Sequence, residues 1–384
     1  MGMYSVSVAL RPIQLEFGVT RSEASLAYAL TMTGFAIGSV LMGRLADRFG
    51  VMIPVLISAV SLGLGFVAAG LAGSLWLFNA AHGLLVGFLG TSAAFAPLVA
   101  DISLWFTSRR GLAVAICASG NFLAGAIWPP ILQFFFDSVG WRQTFIWLGI
   151  FCVVTMALLA FVLQRRAEIA ATTETSQDPL LGSRKPLGMS PNTLQLLLCI
   201  AGVACCIAMA IPLVHIVAYC GDLGYAATRG AEMLSLMLGF GVVSRVAFGW
   251  ISDRIGGLRT LMSASTLQAI ALTLFLPSGE LATLYAVSVL YGLFFGGVVP
   301  PYAMIVREFF SPKETGVRVS LTLGATFFGM ALGGWMSGAI FDLTGSYRAA
   351  FANGILWNVF NLLIIGFLLL RDRRSAGITK IEAY

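Results

Sequence analysis

Long apolar runs separated by short polar breaks recur along the whole chain. Twelve can be read, at roughly 1–15, 24–43, 53–71, 75–104, 111–133, 143–163, 192–219, 230–250, 259–277, 281–306, 316–340 and 349–370. Most reach the ~20 residues that a helix needs to cross a ~30 Å hydrocarbon core. That length predicts helices, since barrel strands need only ~10 alternating residues. The first run is anomalous, because only ten residues precede Arg11. Helix 1 is therefore expected to be truncated, through a misplaced start or through loss of its inner half. No basic segment and cleavage site mark the run as a removable signal peptide.

The polar breaks carry a repeat. Gly43-Arg44-Leu45-Ala46-Asp47-Arg48-Phe49-Gly50 returns as Gly249-Trp250-Ile251-Ser252-Asp253-Arg254-Ile255-Gly256. Arg110-Gly111 answers to Thr315-Gly316, and Phe136-Asp137-x-x-Gly140 answers to Phe341-Asp342-x-x-Gly345. All three landmarks recur at 205 or 206 residues. A period that long is not a solenoid unit; it fits the parallel halves of many secondary transporters. The expected organisation is a six-helix half over 1–163, a linker over 164–191, a second half over 192–370 and a tail over 371–384. The linker holds Arg165-Arg166, many Ser, Thr and Glu residues and Pro179, Pro186 and Pro191, as flexible connections do.

Composition sharpens this picture. The chain has 384 residues, 58% of them hydrophobic and 10% charged, against about 25% charged in soluble domains. It is a polytopic membrane protein. Of its 23 Lys and Arg, 17 fall on the side that holds both repeated cassettes, the linker and the C-terminus. Five (Arg11, Arg21, Arg142, Arg229 and Arg348) fall on the other side, and Arg245 lies within a helix. The positive-inside rule puts the cassettes in the cytoplasm. The net charge of +6 is this topology signal; its spread over six short segments gives no case for nucleic acid. The six cysteines have no CxxC spacing and read as small apolar packing residues. No cofactor or metal is implied, and no nucleophile–base constellation suggests an enzyme.

The duplicated Gly-x-x-x-Asp-Arg-x-Gly resembles the signature loop of the major facilitator superfamily. That resemblance implies a twelve-helix fold with Gly43, Asp47, Arg48, Gly50, Gly249, Asp253, Arg254 and Gly256 latching the outward-open state. Val51-Met52 stands where the family usually continues Gly-Arg-Lys, so the first copy is incomplete downstream. A finer resemblance, to the monocarboxylate and oxalate/formate branch, rests on several stretches. They are Phe17 to Ser25, Trp105-Phe106 with Arg109-Arg110-Gly111, Ser119-Gly120, Gly140-Trp141-Arg142, His215 to Tyr219, and Arg245 with Gly249. Those around helices 7 and 8 look like the bacterial members, which implies a bacterial cytoplasmic (inner) membrane.

Arg245 is the sharpest candidate. Eight residues before Asp253, it lies about 12 Å inside the cytoplasmic helix end. A cation at that depth needs a cavity or a partner, and its planar fork suits a carboxylate. The resemblance implies that this arginine binds the substrate carboxylate; the bland reading is a structural bond to a helix end. Two departures stand beside it: Gly241 occupies the place of an aspartate, and Tyr4 that of a helix-1 lysine, in many animal members. Oxalate exchangers use a second cation in helix 11, whereas 319–339 holds neither Lys nor Arg.

His215 near the outer end of helix 7 suits a proton carrier or a hydrogen-bond donor, or else a plain interhelical bond. Asn121, Tyr4, Tyr219 and Tyr302 are candidate donors into the cavity, as is Asn79. His82 reads as packing, Arg11 as an outer vestibule cation or interfacial anchor, and Phe327, Phe328 and Trp335 as an apolar wall or packing. The expected function is secondary transport of a small organic anion, a monocarboxylate first, with proton symport ahead of anion exchange or uniport. A multidrug efflux pump and a non-transporting sensor on the same fold are the rivals. Partners are the anion, protons and the lipid bilayer.

Overall fold

The computed structural model describes residues 2–94, 97–98, 101–102, 110–163 and 186–381; the linker expected at 164–191 lies largely outside them. Besides a short 3₁₀ turn at Pro186–Gly188, the described residues form twelve longer helices: α1 (Ser5–Phe17), α2 (Arg21–Phe49), α3 (Met52–Gly70), α4 (Leu75–Ala93), α5 (Arg110–Val139), α6 (Trp141–Val162), α7 (Pro191–Asp222), α8 (Ala227–Ile255), α9 (Gly257–Phe275), α10 (Leu281–Phe309), α11 (Pro312–Thr344) and α12 (Tyr347–Ile381). Eleven are long and apolar enough to cross a membrane. The exception is α1, whose 13 residues reach about 20 Å, so helix 1 is short as its sequence implies. Helix α12 continues to Ile381, so residues 371–381 prolong it.

Local chemistry sets the helix ends. At the start of α2 the Glu23 N–H donates to Thr20 Oγ1 at 3.3 Å and the Thr20 N–H donates to the Glu23 carboxylate at 2.9 Å, a reciprocal cap. Ser190 caps α7, with Pro191 at its first position, where a missing N–H costs nothing. Gly50 and Gly256 close α2 and α8 at φ 84° and 83°, a region that a side chain rarely allows. Each returns its N–H to the helix, to the carbonyls of Ala46 and Ser252.

Helix α4 changes winding along its length: Leu75–Ala80 is α-helical, Ala81–Gly90 takes wider π turns, and Thr91–Ala94 tightens to 3₁₀. Its π stretch lies against α2 with almost no side chain between. A Cβ on Gly34 would collide with the Gly83 carbonyl and one on Gly38 with that of Phe88. Helix α10 is interrupted between Phe295 and Pro300.

Within the first half α3 packs on α6 and α4 on α2; within the second, α7 and α9 pack on α12, and α8 on α10. Three packings join the halves, α2 with α11, α5 with α8, and α1 with α7. Moving six helices along the chain turns α2 into α8 and α5 into α11. The α2–α11 and α5–α8 crossings are thus the same contact seen from the two halves.

Candidate functional site

Leu238, Gly241 and Arg245 recur at three and four residues along α8, so they share one face, and that face meets α5. Gly241 makes room for rings: a Cβ there would lie 3.1 Å from Phe122 and 3.3 Å from Phe295. An aspartate at 241 would meet both. The two rings pack at 5.3 Å between centroids. The Arg245 guanidinium carbon sits 3.8 Å over the Phe122 ring, a cation–π contact that crosses between the halves. Its Nη1 donates to the Ala118 carbonyl at 2.9 Å, while Nε is buried with no acceptor. Among the described residues Arg245 has no carboxylate partner.

Tyr4 and Asn121 come to the same crossing. Tyr4 is buried, with its ring where a Gly125 Cβ would be, at 2.6 Å, beside Leu238. Its hydroxyl is within electrostatic reach of Arg245. Asn121 Nδ2 donates to Met3 Sδ at 3.7 Å, a long contact to a weak acceptor.

The other three candidates lie elsewhere. His215 Nε2 meets the Gly334 carbonyl at 2.7 Å and Nδ1 meets the Tyr347 hydroxyl at 2.9 Å. A carbonyl only accepts, so Nε2 carries the proton and both ring nitrogens are engaged in joining α7 to α11 and α12. Tyr219 donates to the Ser278 carbonyl at 2.9 Å, within the second half. Tyr302 is fully buried and donates to Asn361 at 3.1 Å, and Asn361 donates to Ser265 at 2.9 Å. His82 stands among the rings of Phe66, Phe78 and Phe145, with Asn79 buried beside it. Phe327 meets Phe35 of α2 at 4.5 Å, whereas Phe328 and Trp335 are exposed.

The end of the α2–α11 crossing that the positive-inside rule assigns to the outer side is closed by charge. Arg21 forms an ion pair with Asp222 of α7 and donates to the Tyr347 hydroxyl at 3.1 Å. Its guanidinium also covers the Phe341 ring at 4.1 Å. The backbone N–H groups of Arg21 and Ser22 donate to the two Asp342 oxygens at 2.9 and 2.8 Å, so one half caps a helix of the other. Gly338 allows this approach, since a Cβ there would lie 2.8 Å from the Ser22 backbone. In the sequence Arg21 is a topology charge and Asp342 a member of a repeat; their meeting, 321 residues apart, leaves no local signal.

At the end that the positive-inside rule assigns to the cytoplasm, the two cassettes have the same turn geometry, and Asp47 and Asp253 are in no ion pair among the described residues. Arg48 and Arg254 lie over their own helices' Phe49 and Trp250. The Gly257 N–H donates to Glu308 at 2.9 Å, tying the second cassette to α10. Positions Gly43, Gly249, Gly316 and Gly324 face open space. Among the described residues, side-chain bonds join the halves at the Arg21 end, and neither cassette aspartate is in an ion pair at the other end.

Two six-helix halves related by a repeat and joined at two equivalent crossings match the parallel-repeat architecture of many secondary transporters. The profile of the Major Facilitator Superfamily matches residues 1–281 and, separately, 196–383, and the chain belongs to that family. It is 29% identical over 332 residues to Monocarboxylate transporter 13 of Rattus norvegicus, covering 85% of this chain and 74% of that one. It is 25% identical to Monocarboxylate transporter 12-B of Danio rerio, over 98% and 86% of the two chains. In fold it resembles a bacterial homolog of the human lysosomal transporter Spinster in an inward-facing, occupied conformation. That likeness has TM-score 0.70 at 17% identity and covers 97% of this chain and 93% of the other. A mutant of the nucleoside transporter NupG matches with TM-score 0.72 at 13% identity, over 96% and 97%.

Proposed function

We propose that the chain carries a small organic anion, a monocarboxylate, by alternating access, with Arg245 as the anion anchor. The observation behind this reading is the half-used guanidinium at the α5–α8 crossing. One nitrogen bonds Ala118, one face covers Phe122, and Nε has no acceptor. A buried donor left idle costs about 1–3 kcal/mol, more when charged. A carboxylate entering from the cytoplasmic opening satisfies Nε and a terminal nitrogen together, by two charge-assisted bonds. Tyr4 and Asn121 are the second contacts, and Phe122 and Phe295 receive the apolar end. A dicarboxylate brings a second charge that 319–339, with neither Lys nor Arg, does not compensate. The names of the rat and zebrafish relatives, monocarboxylate transporters, support the same substrate class.

In this reading the latch of Asp47, Arg48, Asp253 and Arg254, with Gly43, Gly50, Gly249 and Gly256, engages in the opposite, outward-open state. The driving ion is the proton, with His215 as the titratable member of the outer closure, and the membrane is a bacterial cytoplasmic one.

Uptake of labelled monocarboxylates into proteoliposomes, with and without an imposed pH gradient, tests the proposal. Arg245→Lys keeps the charge but loses the fork, and uptake should fall strongly. Arg245→Ala should abolish anion binding, a loss on the order of 2–5 kcal/mol. Normal affinity in a folded Arg245→Ala protein would remove Arg245 from the site and favour an efflux pump. Uptake indifferent to the pH gradient would remove the proton.

A further inference from the structure

A second cleft lies between the halves, on the outer side and away from Arg245. Its volume is about 240 Å³, and its lining includes Val8, Arg11 and Leu15 of α1, Gln133 and Asp137 of α5, and Val217 of α7. The volume is just below the ~300–1,000 Å³ of drug-sized pockets, so it suits a small molecule.

Its polar groups are only partly satisfied. Arg11 reaches across the halves onto α7, where its guanidinium occupies the space that a Cβ on Gly221 would take. Arg11 and Asp137 line one cleft, yet neither is in an ion pair among the described residues. The Asp137 carboxylate accepts from Gln133 Nε2 at 2.8 Å, which fixes the amide's orientation. Gln133 Oε1 is then a buried acceptor with no donor, on a residue only 4% exposed. An orphaned acceptor of this kind calls for a partner.

The repeat makes the difference specific. Asp137 and Asp342 are equivalent members of the Phe-Asp-x-x-Gly repeat, on the equivalent helices α5 and α11. Asp342 accepts two backbone N–H groups of α2. Asp137 accepts none from α8 among the described residues, and its half of the crossing holds the cleft instead.

We propose that this cleft is a binding site for a small zwitterion that carries a carboxylate and an ammonium. The carboxylate pairs with Arg11, and the ammonium donates to Asp137 and to Gln133 Oε1, since an ammonium has three donors to place. A plain monocarboxylate meets Asp137 as a like charge and leaves Gln133 unpaired; a plain amine meets Arg11. The bound molecule touches both halves at the shut outer face. It therefore favours the outer-closed state and slows transport from outside without occupying the Arg245 site.

Three probes with the same branched apolar end separate the charges: L-leucine, 4-methylpentanoate and isoamylamine. Thermal unfolding of the purified full chain in detergent is titrated with each, in the native protein and in Arg245→Ala, so that the central site is tested separately. L-leucine should raise the unfolding temperature in both proteins. The other two should not do so in Arg245→Ala. Arg11→Gln should raise the half-saturating L-leucine concentration about tenfold or more, and Arg11→Lys less, because a cation remains. Asp137→Asn should lose the response to L-leucine and gain one to 4-methylpentanoate. Unfolding temperatures without ligand report whether each variant is folded. No response to L-leucine in the native protein, equal responses to all three probes, or an L-leucine response unchanged in folded Arg11→Gln and Asp137→Asn each overturn the site.

Discussion

The α2–α11 and α5–α8 crossings are one contact repeated, yet they are built for opposite ends. At α2–α11 every charge near the outer end has a partner: Arg21 with Asp222 and Tyr347, and Asp342 with the first N–H groups of α2. At α5–α8 the charges are half-satisfied, with Arg245 holding one carbonyl and an idle Nε, and Asp137 facing a cleft. The difference teaches how a duplicated scaffold divides its labour. One copy saturates its charges across the halves, and the other leaves polar groups unsaturated.

The strongest way to break this contrast is Arg21→Ala. Removing one partner of a largely buried ion pair costs about 3–5 kcal/mol, all of it from the outer closure. A cysteine at the buried Ser25, in a background lacking the native cysteines, should then react with an impermeant maleimide from outside, where it is protected with Arg21 in place. Unchanged protection means that the closure does not rest on Arg21. Next in size is Gly338→Leu, which forces a side chain into the α2 backbone at a cost of about 1–3 kcal/mol. Gly324→Leu on the same helix enters open space and should change thermal stability by no more than ~0.5 kcal/mol. Equal effects at the two positions would erase the difference between the shut and parted ends.

His215→Ala should be milder, about 1–2 kcal/mol for a carbonyl and a phenol each left short of a bond. The same maleimide assay should show partial exposure; an effect as large as that of Arg21→Ala would make His215 the pivot instead. The smallest effect on stability belongs to Asp253→Asn, within ~0.5 kcal/mol, because Asp253 is unpaired in this state. Transport should nevertheless slow, since the latch is missed when the cytoplasmic side shuts. A large drop in thermal stability would mean that the latch is already engaged.

The fold was legible because lipid makes it so: apolar run length dictates helices, and the doubled cassette dictates two halves. Arg245 was legible for the same reason, as a charge eight residues inside a helix stands out. The partners of His215 were not, because Gly334 and Tyr347 lie 119 and 132 residues further along the chain. Tyr219 and Tyr302 read as cavity donors from residue type alone, but the structure gives their hydroxyls to Ser278 and Asn361 within the second half. Phe122 had no signal at all. An aromatic residue in an apolar run becomes notable only once Gly241 opens a place for it beside Arg245.

The side-chain-free seam between α2 and the π turns of α4 has a mechanical consequence. Side chains between helices can change rotamer and let one slide past the other; backbone pressed on backbone at Gly34 and Gly38 offers no such slip. Helix α2, 29 residues and about 43 Å long, is thereby braced as a stiff lever. Tilting it by about 10° around its midpoint carries each end roughly 4 Å, in opposite directions. Any such tilt would couple Arg21 at one tip to Asp47 and Arg48 at the other.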